Sequence, residues 1–160
     1  KDAKQTVEWY GKYLNMDFIL AIAENEVPST KEPDPYMHVF LDAGQGNVLA
    51  FFELPTHPSM QLDRNTPAWC QHLALQVETM DDLLTTKASL EADGINVIGP
   101  TNHTIFKSIY FFDPSGHRLE LALNTNTLTM EKRLDEVKWD MLNEWAETKK
   151  APSHGRWMHQ

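Results

Sequence analysis

Two runs with a period of two, one opening and one closing the stretch 71–122, constrain the fold of this chain more than any other feature. In Gln71-His72-Leu73-Ala74-Leu75-Gln76-Val77, the residues Leu73, Leu75 and Val77 alternate with His72, Ala74 and Gln76. Side chains alternate across a β-strand, so one face is apolar and His72 lies on the other. In the closing run, Asp113-Pro114-Ser115-Gly116-His117-Arg118-Leu119-Glu120-Leu121-Ala122, the leucines 119, 121 and 123 alternate with Arg118, Glu120 and Ala122. Glu120 therefore also falls on the less apolar face. An imidazole and a carboxylate pointing from two strands into one concavity form half of a divalent-metal site.

Around these runs the order of elements repeats. Asp2 with Gln5 reads as a capping box, and Val7, Trp9, Tyr10 and Leu14 give a helical apolar stripe. Strands are predicted at Phe18–Ala23, Met37–Leu41 and Val48–Leu54, with a proline-bearing loop over 24–35 and a glycine-containing turn over 42–47. After a polar connection the second half follows: strand His72–Val77, helix Thr79–Asp93 with Asp82 at its capping-box position and Gly94 beyond its end, and strand Ile95–Ile98. Then come a loop over 99–104 and a hairpin of Ile105–Phe112 with Arg118–Leu123. Each half is helix, strand, strand, strand, and the second half has one more strand ahead of its helix. The reading is an α+β chain of two βαβββ modules, the first strand of module 1 being expected upstream of Lys1. Phe52-Glu53-Leu54 answers Leu119-Glu120-Leu121. Residues 1–124 form one domain on this reading (module 1 over 1–55, connection 56–70, module 2 over 71–124), and 125–160 a C-terminal helix and tail. That helix, from Leu128 to about Lys150, carries Met130, Leu134, Val137, Met141 and Trp145 at helical spacing and is expected to pack on the sheet or on a second subunit. Residues 151–160 read as a loose tail with solvated His154 and His159.

Composition narrows the partners. A net charge of −9 argues against nucleic acid and anionic membrane surfaces, both of which select a basic patch. The single cysteine, Cys70, excludes an internal disulfide and fits a reducing cytoplasm. No apolar run is long enough to span a bilayer.

Two βαβββ halves, with a His on the first strand of a half and a Glu on its last, resemble the vicinal oxygen chelate superfamily. That superfamily holds glyoxalase I, extradiol ring-cleaving dioxygenases, fosfomycin thiol transferases, epimerases and bleomycin-resistance proteins. The resemblance covers residues 1 to about 124 and is carried by Gln71–Val77 and by Ser108-Ile109-Tyr110-Phe111-Phe112-Asp113-Pro114-Ser115-Gly116-His117-Arg118-Leu119-Glu120. It implies one divalent metal per site (Zn, Ni, Fe(II) or Mn) held by His72, Glu120 and Glu53, with a further His on a strand upstream of Lys1. It implies a small substrate with adjacent oxygens, and a homodimer with sites shared between subunits.

Two chemistries follow from the resemblance. Four ligands suit proton transfer next to a chelated carbonyl, glyoxalase-like in type (an isomerase, lyase or epimerase), with Glu53 or Glu120 as base. Three ligands suit Fe(II) extradiol cleavage, in which residues matching His103 and Tyr110 contact the substrate. Asn47 departs from that second pattern, which has a His there, and so does Glu53, where it has a small residue. Glu53, as a carboxylate filling a coordination position, favours the first. A non-catalytic ligand-sequestering protein is the third reading. Among the other polar residues, His38 could line the cleft, Lys107 and Arg118 could hold an anionic group, and His117, after a turn glycine, is expected to be exposed.

Overall fold

The computed structural model describes residues 2–159, without the side chains of 155, 158 and 159. The first half is α1 (Ala3–Leu14), β1 (Phe18–Glu26), β2 (Pro33–Asp42) and β3 (Val48–Glu53). The second is β4 (His72–Val77), α2 (Met80–Ala92), β5 (Ile98–Asn102), β6 (Phe106–Phe112) and β7 (Arg118–Asn124), followed by α3 (Leu128–Thr148) and a 3-10 segment over Ser153–His159. The architecture is α+β, with a three-stranded sheet β1-β2-β3 and a four-stranded sheet β4-β7-β6-β5.

Both helices start where polar side chains satisfy free backbone donors. The Asp2 carboxylate accepts the Gln5 N–H, and Thr79 and Asp82 form a reciprocal capping box ahead of α2. Alternation then decides which face β2, β6 and β7 bury. Val39 and Leu41 of β2, Ile109 and Phe111 of β6, and Leu119 and Leu121 of β7 are buried with Trp9 and Tyr10 of α1 and Leu83 and Leu90 of α2. The opposite faces, carrying Tyr36, His38, Phe40 and Phe52 in one sheet and His72, Tyr110, Arg118 and Glu120 in the other, lie away from the helices. β4 runs parallel to β7, with Ala74 opposite Glu120 and His72 opposite Arg118. Among the described residues β3 pairs only with β2 and β4 only with β7. A groove of about 970 Å³ is lined by Val48 and Leu49 of β3 and by Leu73–Val77 of β4, with Leu14, Met16 and residues of α2.

Several boundaries differ from the sequence reading. β1 and β2 run on through much of the expected loop, Glu26 pairing with Pro33, because a proline at the first residue of a strand forfeits no required donor. β5 starts at Ile98, where the predicted strand ends, and includes Gly99 and Pro100 at a slip in its ladder with β6. Among the described residues α3 buries none of its side chains fully, and its main contacts are with the 3-10 segment. Within the expected tail, Ser153–His159 takes a 3-10 conformation, and the Trp157 ring lies 4.6 Å from the Arg133 guanidinium. His154 faces Glu144 at 3.4 Å, and the side chain of His159 lies outside the described residues. No helix among the described residues is long and apolar enough to cross a membrane.

Candidate functional site

Among the described residues Glu120 is the centre of a cluster that gathers several of the sequence-derived candidates. It is 4% exposed, and both its carboxylate oxygens are engaged. Oε2 lies 2.7 Å from His72 Nε2, and Oε1 accepts the Tyr110 hydroxyl at 3.1 Å. The sheet dictates this meeting, since Tyr110 on β6 is directly opposite Glu120 on β7, and β7 lies alongside β4 with its His72. His103, in the β5–β6 connection, extends the line: its Nε2 is 2.9 Å from the Tyr110 hydroxyl. Four side chains from four separate segments thus form one continuous hydrogen-bonded row.

The other nitrogen of His72 fixes what this row can do. Nδ1 is 3.1 Å from the Trp69 carbonyl. A carbonyl only accepts, so Nδ1 carries the proton and Nε2 offers its lone pair to the site. Nε2 then faces the Glu120 carboxylate, and two acceptors at 2.7 Å require a second proton or a cation between them. An imidazole nitrogen oriented by a backbone carbonyl, next to a buried carboxylate that is itself hydrogen-bonded, is the donor chemistry that divalent metals take. His72 and Glu120 therefore fit a metal as two of its protein ligands.

Tyr110 holds its proton more tightly than an ordinary phenol. Burial pushes its pKa up, and the Glu120 charge and hydrogen bond act in the same sense, while Ser108 and Arg118 oppose them. It is a donor to Glu120 through the neutral pH range. Arg118 lies over the Tyr110 ring at 4.7 Å, and its Nη1 donates to the Trp69 carbonyl.

Glu53 is not in this cluster. It shares the helix-facing side of β3 with Leu49 and Phe51, and its Oε2 accepts the N–H of Ala3 at 2.6 Å, the first residue of α1. The two hairpins explain the difference from the sequence reading. The Ala43 N–H to Asn47 carbonyl bond of the first (3.0 Å) matches the Asp113 N–H to His117 carbonyl bond of the second (2.9 Å). Counting on from Asn47 and His117, the residue in the place of Glu120 is Ala50, which faces Phe40 as Glu120 faces Tyr110. Among the described residues no three His, Cys, Asp or Glu side chains converge as a metal-holding group.

The remaining candidates fall into place around this geometry. His38 stacks on Phe52, ring centroids 3.7 Å apart, with Phe40 at 4.1 Å, on the face of its sheet away from α1. Lys107 alternates with Ser108 and Tyr110 and so lies on the face opposite the site. His117 is half-buried rather than exposed, its ring 5.9 Å from Phe51 and its N–H bonded to Asp113. Trp69, whose carbonyl orients His72, has no sequence signal beyond its position three residues upstream.

Comparison with known proteins places the fold. The chain is 23% identical over 99 residues to the putative ring-cleaving dioxygenase MhqA of Bacillus subtilis (strain 168), a stretch that is 62% of this chain and 31% of that protein. It thus spans about a third of the length of that curated relative. The trypanothione-dependent glyoxalase I of Leishmania major shares the fold with a TM-score of 0.55 and 20% identity, over 91% of each chain. The fosfomycin resistance protein FosX of Listeria monocytogenes, solved with Mn(II) and sulfate, does so with a TM-score of 0.52 and 19% identity, over 82% of this chain and 89% of its own. Residues 1–121 match the family model that spans the two sheets and the His72–Glu120 pair, and the chain belongs to the glyoxalase/bleomycin resistance protein/dioxygenase superfamily.

Proposed function

We propose that this chain contributes His72 and Glu120 to a divalent-metal centre that works on a small substrate with adjacent oxygens, and that the chemistry is extradiol-type ring cleavage with Fe(II). The observation that carries the choice of chemistry is the row His103–Tyr110–Glu120–His72 on one face, together with Ala50 where a second carboxylate would stand. A glyoxalase-like proton transfer needs a displaceable fourth ligand, and Glu53, the expected one, is engaged at the start of α1. The likeness to a putative ring-cleaving dioxygenase supports the same choice.

A bound Fe(II) would supply the chelation of the two oxygens and a path by which the catecholate itself reduces dioxygen. The chain's own residues would do the rest. His72, oriented by the Trp69 carbonyl, and Glu120, oriented by Tyr110, would hold the ion. The Tyr110 hydroxyl and His103 Nε2 would hold or move a proton at a phenolic oxygen of the substrate, each being within hydrogen-bond reach of the other. A third protein ligand would be carried by a strand laid in the groove between the unpaired edges of β3 and β4.

The test is oxygen consumption by the full-length protein, reconstituted with Fe(II) under reducing conditions and given a catechol, beside hemithioacetal isomerisation with Ni(II) or Zn(II). Catechol-dependent oxygen uptake that is lost in His72→Ala is the expected result. Isomerisation without oxygen uptake would replace ring cleavage by proton transfer. A protein that takes up none of these ions would end the metal reading.

A further inference from the structure

The Trp69 carbonyl serves two site residues at once. It accepts from His72 Nδ1 at 3.1 Å and from Arg118 Nη1, whose second, longer contact is with the Ala68 carbonyl at 3.5 Å. The Arg118 guanidinium also lies 4.7 Å over the Tyr110 ring. Among the described residues Arg118 forms no ion pair, although Glu120 is two positions away on the same strand face; both Glu120 oxygens are taken by His72 and Tyr110. Its charge and its planar donors are directed at the carbonyls of one backbone turn, Trp69 above all, and at one aromatic face. The carbonyl belongs to a single 3-10 turn, Ala68–Cys70, at the end of a long connection. Gln71 ties that connection together, its side chain bonding the backbone of Asp63 and Thr66.

We infer that Arg118 is a positioning residue: it pins the Trp69 carbonyl where that oxygen selects the Nδ1–H tautomer of His72, and it packs over the Tyr110 ring so that the hydroxyl reaches Glu120. The inference deepens the metal-centre reading and rests on it for its consequence, while the geometry of Arg118 itself does not. Arginine suits this task because a planar fork both donates in its plane and stacks on a ring, whereas a lysine ammonium is a point charge that can reach the carbonyl but cannot stack. Loss of an outer contact that orients a ligating His typically weakens a metal site about 10–100-fold.

The experiment compares full-length wild type, Arg118→Gln and Arg118→Lys, with retained fold checked by circular dichroism. In metal-free, nitrogen-15-labelled protein, the hydrogen-bonded Nδ1–H of His72 is expected as a slowly exchanging signal, assigned by its disappearance in His72→Gln. It should be lost in Arg118→Gln and partly kept in Arg118→Lys. Cobalt(II) affinity, read from its absorption bands, should fall about 10–100-fold in Arg118→Gln and less in Arg118→Lys. An Nδ1–H signal and a cobalt affinity both unchanged in Arg118→Gln would overturn the inference. If wild type takes up no cobalt the metal reading falls, and the Nδ1–H signal still decides the role of Arg118. Should Arg118→Gln fail to fold, Arg118→Lys carries the test by the same two readouts.

Discussion

Tyr10 and Asp113 are joined by a buried hydrogen bond of 3.0 Å that links α1, in the first half of the chain, to the β6–β7 turn of the second. Tyr10 is fully buried and Asp113 5% exposed. The other Asp113 oxygen accepts the N–H groups of Ser115 and His117, so this carboxylate both shapes the turn leading into Glu120 and receives the phenol. Tyr10→Phe leaves the packing against Trp9 and Phe51 in place and removes the donor. A hydrogen bond to a charged acceptor contributes about 1.5–3 kcal/mol, and urea unfolding should report a loss of that size. A loss under about 0.5 kcal/mol would mean that water or a backbone group takes over at Asp113.

The same pair sets an alkaline limit. Burial first, and then the charge and hydrogen bond of Asp113, raise the Tyr10 pKa well above its ordinary value. The folded state therefore keeps the proton where the unfolded chain releases it, at about pH 10. Stability from this group is complete below about pH 10 and declines as pH rises further, by at most about 1.4 kcal/mol per pH unit. Tyr110 is shifted the same way and adds to the decline. Unfolding free energies measured from neutral to strongly alkaline pH should fall less steeply in Tyr10→Phe than in wild type. Identical slopes would show that the phenol ionises freely in the folded protein.

Glu53 separates a helix-start role from a metal-ligand role. Its carboxylate accepts the Ala3 N–H at the start of α1, satisfying one of the backbone donors that a helix leaves free there. Glu53→Ala should cost about 0.5–2 kcal/mol of stability. Cobalt or iron uptake at the His72–Glu120 site should stay within twofold of wild type. Metal affinity that collapsed in this variant, with stability unchanged, would return Glu53 to the ligand set.

What could be read from the sequence follows from how locally each feature is encoded. The period-two runs of β4 and β7 are legible because the leucines of β7 are buried and Leu75 and Val77 of β4 pack against the same core, which fixes the side on which His72 and Glu120 stand. Glu53 was misplaced by the same kind of signal: Phe52-Glu53-Leu54 copies Leu119-Glu120-Leu121 as letters. Hairpin register, however, is set by the turn, and here Gly44, Gln45 and Gly46 all have positive φ (83°, 52° and 78°). That backbone path moves the equivalent position to Ala50. Two contacts had no local trace at all. Tyr10 and Asp113 are 103 residues apart, and the Trp69 carbonyl that orients His72 is a backbone atom in a connection with no periodicity. The apolar stripe of α3 was legible as a helix, but not its partner, because periodicity marks a face without saying what covers it.

The slip in the β5–β6 ladder is the last feature open to a direct test. Between Ile98 and Thr101 the register shifts, and the chain beyond it delivers His103 to the Tyr110 hydroxyl. Gly99 sits in this slip at φ 106°, and a Cβ there would lie 2.4 Å from the Ser108 carbonyl oxygen and 2.9 Å from the Thr101 nitrogen. Both obstacles are backbone, one on β6 and one on β5 itself, so the nearer one cannot swing aside without moving β6. Gly94, beyond α2, has a similar positive φ of 76° but nothing within 4 Å of the added atom. Gly94→Ala should therefore carry only the left-handed backbone cost of about 1 kcal/mol, and Gly99→Ala about 2–4 kcal/mol. Ser108 is two residues before Tyr110 on β6, so a displaced β6 would also lengthen the His103–Tyr110 contact. On the ring-cleavage proposal, turnover of a catechol by Gly99→Ala should consequently drop further than its folded fraction accounts for, while Gly94→Ala should keep wild-type turnover. Equal unfolding free energies for the two variants would show that β6 yields to the added methyl, and that the close approach at Gly99 does not hold His103 in place.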